Sequence, residues 1–178
     1  MKSLTKANLF LKIILLVLLL PLAVPVLIPK VGLAYSGVNY ELISKEKIIA
    51  LTFDDGPHPI YTPQILDILD EYQVKATFFM IGSCMEEYPG IVKEVAGRGH
   101  LIANHTYTHP DNLRKLSPEE LKWEIDQCQQ SMQRISGQNN YLFRPPRGIL
   151  NREIIKILQE KGYVSVKSRT PVPQELLK

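Results

Sequence analysis

From Lys47 onward, short apolar runs with strand character alternate with longer segments of helical periodicity. A chain that returns repeatedly from helix to strand pairs its strands most simply side by side and parallel, with the helices as crossovers. Ile48 to Phe53 reads as a first strand that stops at the turn formers Asp54-Asp55-Gly56-Pro57. Thr62 before Pro63 is an N-cap with proline at N1, opening a helix with Ile65, Leu69 and Tyr72 on one face. Ala76 to Ile81 is the second strand, Pro89 to Arg98 a helix closed by Gly99, and His100 to Ala103 the third strand. Ser117-Pro118-Glu119-Glu120 is a capping box that starts the longest helix, which Gly137 ends. Tyr141 to Phe143 is a fourth strand, Asn151 caps a last helix that Gly162 stops, and Tyr163 to Val166 is a fifth. The expectation is an α/β fold on about five parallel strands.

Three polar runs follow strand ends: Asp54-Asp55-Gly56-Pro57, His105-Thr106-Tyr107-Thr108-His109 and Arg144-Pro145-Pro146-Arg147-Gly148. The carboxyl edge of a parallel sheet is where α/β enzymes place their chemistry. Two adjacent carboxylates can divide labour, one binding a cation and the other moving a proton. His105 and His109, four residues apart, are expected on a helical turn where two imidazoles share one metal. The Arg-Pro-Pro run offers a rigid cation near a carboxylate base. Taken singly, each run has a plainer reading: a turn, two satisfied histidines, a solvated arginine. Together they supply ligands, base and orienter without redundancy.

Residues 1–34 have the form of a leader. Lys2, Lys6 and Lys12 precede an apolar run from Ile13 to Ile28, and Gly32-Leu33-Ala34 suits a signal peptidase. The alternatives are a cleaved signal peptide and a retained membrane anchor, with Pro21, Pro25 and Pro29 counting against a straight membrane-spanning helix. Residues 35–46 read as a linker and 47–178 as the catalytic domain. The net charge of +3 belongs to the leader, because four of the 21 basic residues and no acids lie in it. The remainder is close to neutral and has no basic cluster, which speaks against nucleic acid and suits a neutral glycan.

Over Lys47 to Val166 the three runs resemble the motifs of the NodB-homology polysaccharide deacetylases, carbohydrate esterase family 4, with Arg147 where an aromatic is usual. The resemblance implies a distorted (β/α) barrel. It implies Asp55, His105 and His109 as metal ligands, Asp54 as catalytic base and Arg144 as the residue holding Asp54. It also implies a backbone N–H at Arg147 that helps bind the oxyanion. A His₂-carboxylate set makes zinc the first expectation, with cobalt or another first-row metal also suited. The implied activity is removal of N-acetyl groups from N-acetylglucosamine-containing peptidoglycan or chitin-like oligosaccharide. The leader points to export, with the protein extracellular or associated with the cell wall, and a tether to the cytoplasmic membrane as the alternative.

The family's fourth and fifth motifs have no counterpart before Lys178, and no histidine follows His109 to serve as the usual general acid. The reading is therefore of an incomplete barrel lacking its C-terminal units, with an unpaired edge beside Val164 to Val166. Two other functions stay open: a truncated member that binds metal or glycan with little catalysis, and an amidohydrolase of small non-sugar amides. Oligomeric state is not legible. Cys128 lies on an apolar helical face with Leu121, Ile125, Met132 and Ile135 and reads as a buried thiol, although a bridge to Cys84 is compatible with export. His58 reads as a turn residue or substrate-groove contact and His100 as structural. Trp123 reads as a half-exposed ring on a neighbouring loop, or more sharply as a glycan contact.

Overall fold

The computed structural model describes Val38–Asn39 and residues 49–167. Six strands, β1 (Val38–Asn39), β2 (Thr52–Gly56), β3 (Thr77–Met80), β4 (Leu101–Asn104), β5 (Leu142–Phe143) and β6 (Val164–Val166), form one sheet in the order β1-β6-β5-β4-β3-β2. Every pairing is parallel. Five helices accompany them: α1 (Tyr61–Glu71), α2 (Gly82–Glu87), α3 (Pro89–Gly97), α4 (Pro118–Ser136) and α5 (Arg152–Glu160). From β2 to β6 the strands lie in chain order, each reached through a helical crossover, as in the wall of a (β/α) barrel. Among the described residues the sheet is open.

All five expected strands and all four expected helices are present, but four details differ. The edge beside Val164 to Val166 is not unpaired: β1, inside the segment read as a linker, pairs with β6 through Val38↔Ser165 and Asn39↔Val166. Two residues are too few to show a period of two, so this strand left no pattern in the sequence. β2 runs later than expected, taking in Asp54 and Asp55, while Ile49 is 90% exposed ahead of it. α1 begins at Tyr61, before Thr62, because the His58 ring Nδ1 accepts the backbone N–H groups of Ile60 and Tyr61 at 3.2 and 3.3 Å. The Thr62 hydroxyl instead accepts from His58 N at 2.9 Å. Finally, α2 was not expected, six residues being too short for helical periodicity to register. The leader and the tail beyond Lys167 lie outside the described residues. Among those described, no helix is long and apolar enough to cross a membrane.

α4 links two apolar clusters. Its Cys128, Met132 and Ile135 pack with Leu66, Met80, Val92 and Ile102, while its Leu121 and Ile125 pack with Phe143, Ile154 and Leu158. Each fully buried aliphatic or aromatic side chain contributes roughly 1.5–3 kcal/mol, so this helix anchors both halves of the sheet. Its ends follow the sequence. Ser117 Oγ accepts from Glu120 N while the Glu120 carboxylate accepts from Ser117 N at 2.7 Å, and Gly137 closes the helix at φ 73°. Cys84 and Cys128 are both free thiols. Burial pushes the Cys128 thiol up to about 12, so it stays protonated and inert.

Candidate active site

Asp54 and Asp55 lie in β2 just before its last residue, Gly56, His105 follows β4, and Arg144 follows β5, so the three motifs meet at the carboxyl edge of the sheet. Asp55 Oδ1 lies 3.2 Å from both His105 Nε2 and His109 Nε2. One ligand atom from each of the three lies within 4.8 Å of the others. Asp55 reaches this position with φ 67°, a left-handed conformation that Asp tolerates better than most side chains. The carboxylate is largely exposed while His105 is buried, so the cluster opens to solvent on one side.

His105 Nδ1 is 2.6 Å from the carbonyl oxygen of Arg144. A carbonyl only accepts, so Nδ1 carries the proton and Nε2 keeps its lone pair facing Asp55. Burial pushes the His105 imidazole below its ordinary value, which favours the neutral, ligating form. The three donors, their spacing and this tautomer fit a divalent cation of the zinc type.

The expected helical turn from His105 to His109 is not there. Thr106 and His109 have φ values of 69° and 55°, and the segment is an irregular loop. Tertiary contacts hold it instead. Gly82 N and Ser83 N, at the start of α2, donate to the carbonyls of Thr106 and Tyr107 at 3.0 and 2.9 Å. Glu124 of α4, 5% exposed, accepts the backbone N–H groups of Tyr107 and Thr108, both at 2.8 Å, and the Thr108 hydroxyl. Asn104 adds a bond from Thr106 N to its Oδ1 and donates through Nδ2 to the Ile125 carbonyl. Gly82 is required by space: a Cβ there would stand 2.5 Å from Tyr107 Cδ2 and 3.0 Å from Cys128 Cα. Sequence reasoning missed Glu124, Asn104 and Gly82. Glu124 did carry a signal, an acid on the same helical stripe as Leu121, Ile125 and Cys128.

Arg144, 5% exposed, binds Asp54 Oδ1 at 2.6 Å and Thr52 Oγ1 at 2.9 Å through one guanidinium nitrogen, and Nε donates to the Val166 carbonyl at 3.2 Å. Its Cζ lies 4.0 Å above the Phe79 ring. A cation so fixed orients Asp54 and balances its charge. Arg147 stands in a 3₁₀ turn, Pro146–Gly148, with φ 55°, and its side chain pairs with Asp111 at 2.7 Å. A cavity of about 450 Å³ beside this turn is lined by Asp54, Arg144 and Arg147, among others. Of the remaining residues, His58 serves the turn into α1, His100 Nδ1 accepts from Ala76 N at 3.2 Å in the interior, and the Trp123 ring, 48% exposed, packs edge-on against Tyr107.

The polysaccharide deacetylase family matches this chain over residues 42–166. The chain belongs to that family. A peptidoglycan-N-acetylglucosamine deacetylase of Bacillus cereus is 43% identical to this chain over 129 residues, covering 72% of this chain and 60% of that one. A chitooligosaccharide deacetylase of Azorhizobium caulinodans is 38% identical over 122 residues, covering 68% of this chain and 58% of that one. Among solved structures, the Bc1960 peptidoglycan N-acetylglucosamine deacetylase, in complex with 4-naphthalen-1-yl-N-oxidanyl-benzamide, superposes with a TM-score of 0.70 at 38% identity. It matches 73% of this chain, which spans 60% of its length.

Proposed function

We propose that this chain hydrolyses the acetamido group of N-acetylglucosamine units in a glycan of the peptidoglycan or chitin-oligosaccharide class. The observation that carries this reading is the Asp55–His105–His109 cluster standing beside a carboxylate, Asp54, that a buried arginine holds. The names of the B. cereus and A. caulinodans relatives support the substrate class.

Asp55, His105 and His109 are the residues that would hold the cation, zinc being the first expectation and cobalt a substitute. When bound, it supplies Lewis acidity for the acetamide carbonyl and for water. The chain's own residues do the rest. Arg144 occupies Asp54 Oδ1, leaving Oδ2 to take the proton as water attacks the carbonyl carbon. As the C–N bond breaks, acetate departs and the amine nitrogen requires a proton. Among the described residues lining the cavity, Asp54 is the group that has just acquired one. The turn at Arg147 borders the same cavity, where a backbone N–H is suited to the developing oxyanion. The leader pattern in residues 1–34 supports export, with the glycan met outside the cytoplasmic membrane whether that segment is cleaved or retained as a tether.

The deciding measurement is acetate release from N-acetylglucosamine oligomers with added zinc or cobalt, beside an Asp54→Asn control. Release well above the control is expected. Equal release from both would sink the reading.

A further inference from the structure

Arg144 follows β5, yet the side chains its guanidinium serves, Thr52 and Asp54, lie on β2, with β4 and β3 between. Its arm therefore crosses the face of two strands. That face is the one opposite the helices. Phe78 and Ile102 pack into the cluster beneath the helices, whereas the next residues along, Phe79 and Ala103, are register partners that share the other face and belong to neither apolar cluster. The methyl group of Ala103 on β4 leaves the crossing open, and Phe79 on β3 receives the guanidinium with its ring centroid 4.0 Å from Cζ. Both side chains are almost wholly buried, as is Arg144.

The ring supplies what the hydrogen bonds do not. Both hydrogens of Arg144 Nη1 are used, one on Asp54 Oδ1 at 2.6 Å and one on Thr52 Oγ1 at 2.9 Å, and Nε donates to the Val166 carbonyl at 3.2 Å. These bonds lie in the plane of the guanidinium and resist its sliding; its tilt is left to whatever lies against its face. A leucine would satisfy apolar burial at position 79, but an aromatic face also attracts a cation, most strongly where water is excluded. If the plane tilts, Nη1 cannot serve Thr52 and Asp54 together, and Asp54, a third exposed, is free to turn. Resting on the proposed deacetylase reading, we infer that Phe79 is a positioning residue of the hydrolysis, its ring holding the Arg144 guanidinium in the plane from which Asp54 is oriented.

The test is acetate release from N-acetylglucosamine tetramer by the full chain with zinc, in a cycle of four proteins: the unaltered chain, Phe79→Met, Arg144→Gln and the double variant. Methionine keeps most of the apolar volume and has no ring face. Phe79→Met should lower kcat about tenfold, the worth of a desolvated cation–π contact, with KM and zinc affinity unchanged. In the Arg144→Gln background the same substitution should cost less than about twofold, because the group it acts through is gone. A second measurement needs no Phe79 variant. By nuclear magnetic resonance, the isotope-labelled guanidinium of Arg144, identified by its loss in Arg144→Gln, should give separate Nη1 and Nη2 signals in the unaltered chain. Signals averaged by rotation, an unchanged kcat in Phe79→Met, equal losses in both backgrounds, or zinc affinity that falls in step with kcat would each overturn the role of Phe79 alone. No acetate release from the unaltered chain would overturn the deacetylase reading itself.

Discussion

The carbonyl oxygen of Arg144 accepts the Nδ1 proton of His105 at 2.6 Å, while the guanidinium of the same residue holds Asp54. One residue thus sets the tautomer of a candidate ligand through its backbone and the orientation of the candidate base through its side chain. The register of β4 and β5 makes this possible. Asn104 pairs with Phe143, and Arg144 N donates to the Asn104 carbonyl, so the residues that follow the two strands stand side by side.

Arg144→Ala should separate these roles, since it keeps the carbonyl and removes the guanidinium. Asp54 would then lose its cationic partner, and a packed space would open above Phe79. A stability loss on the order of 2 kcal/mol is expected, below the figure for a wholly buried pair because Asp54 is a third exposed. Acetate release should fall at least about a hundredfold, while zinc affinity, set by His105 and its neighbours, changes little. Urea denaturation, acetate assay and zinc titration read the three quantities separately. Zinc affinity that collapses with activity would show that the guanidinium also positions the ligands.

Glu124→Ala reaches the cluster from behind. It leaves the N–H groups of Tyr107 and Thr108 without their acceptor, at about 1 kcal/mol for each bond because Tyr107 is half-buried and Thr108 exposed. Because that carboxylate fixes the loop leading to His109, zinc affinity should drop about 10–100-fold. Glu124→Gln keeps one carbonyl acceptor and should lose less on both measures. An unchanged zinc affinity in the alanine variant would show that His109 is placed by other contacts.

What could be read in advance followed physical scale. The strand ends at Asp54, His105 and Arg144 were legible because apolar runs stop at turn formers, and α4 because its caps and apolar stripe extend over 19 residues. The path from His105 to His109 was not, since a spacing of four suits a helical turn and a folded loop equally. What decides between them is Glu124 and the N–H groups of Gly82 and Ser83, which are distant in sequence or lie on a helix too short to show a period. β1 escaped for the same reason of length. Its pairing with β6 is a non-local event with no local signature.

Gly82→Ala tests how closely α2 and the histidine loop are packed. The added methyl carbon would meet Tyr107 Cδ2 at 2.5 Å, and the Cα atoms of Tyr107 and Cys128 at 3.1 and 3.0 Å. The ring can turn away, but the two backbone contacts cannot both relax without moving the loop. About 1–3 kcal/mol of destabilisation is expected, with weakened zinc binding. Full stability together with full zinc affinity would mean that the loop tolerates a shift the packing forbids.

Acid should destabilise the metal-free protein through its buried imidazoles. Burial pushes both His100 and His105 below their ordinary value, so near pH 6 the unfolded chain binds more protons than the folded one. Their contribution is complete above the unfolded value of about 6.5 and is lost as pH falls through the lower folded values. His100 has a structural reason to resist protonation: its Nδ1 already accepts the Ala76 N–H, and its Nε2 is buried without a hydrogen-bond partner among the described residues. Urea midpoints of the metal-free chain should therefore decline from pH 7.5 to pH 5. His100→Gln, which has no titrating ring, should lower stability at neutral pH and flatten the decline. A decline of the same steepness in that variant would assign the acid sensitivity to His105 or to carboxylates instead.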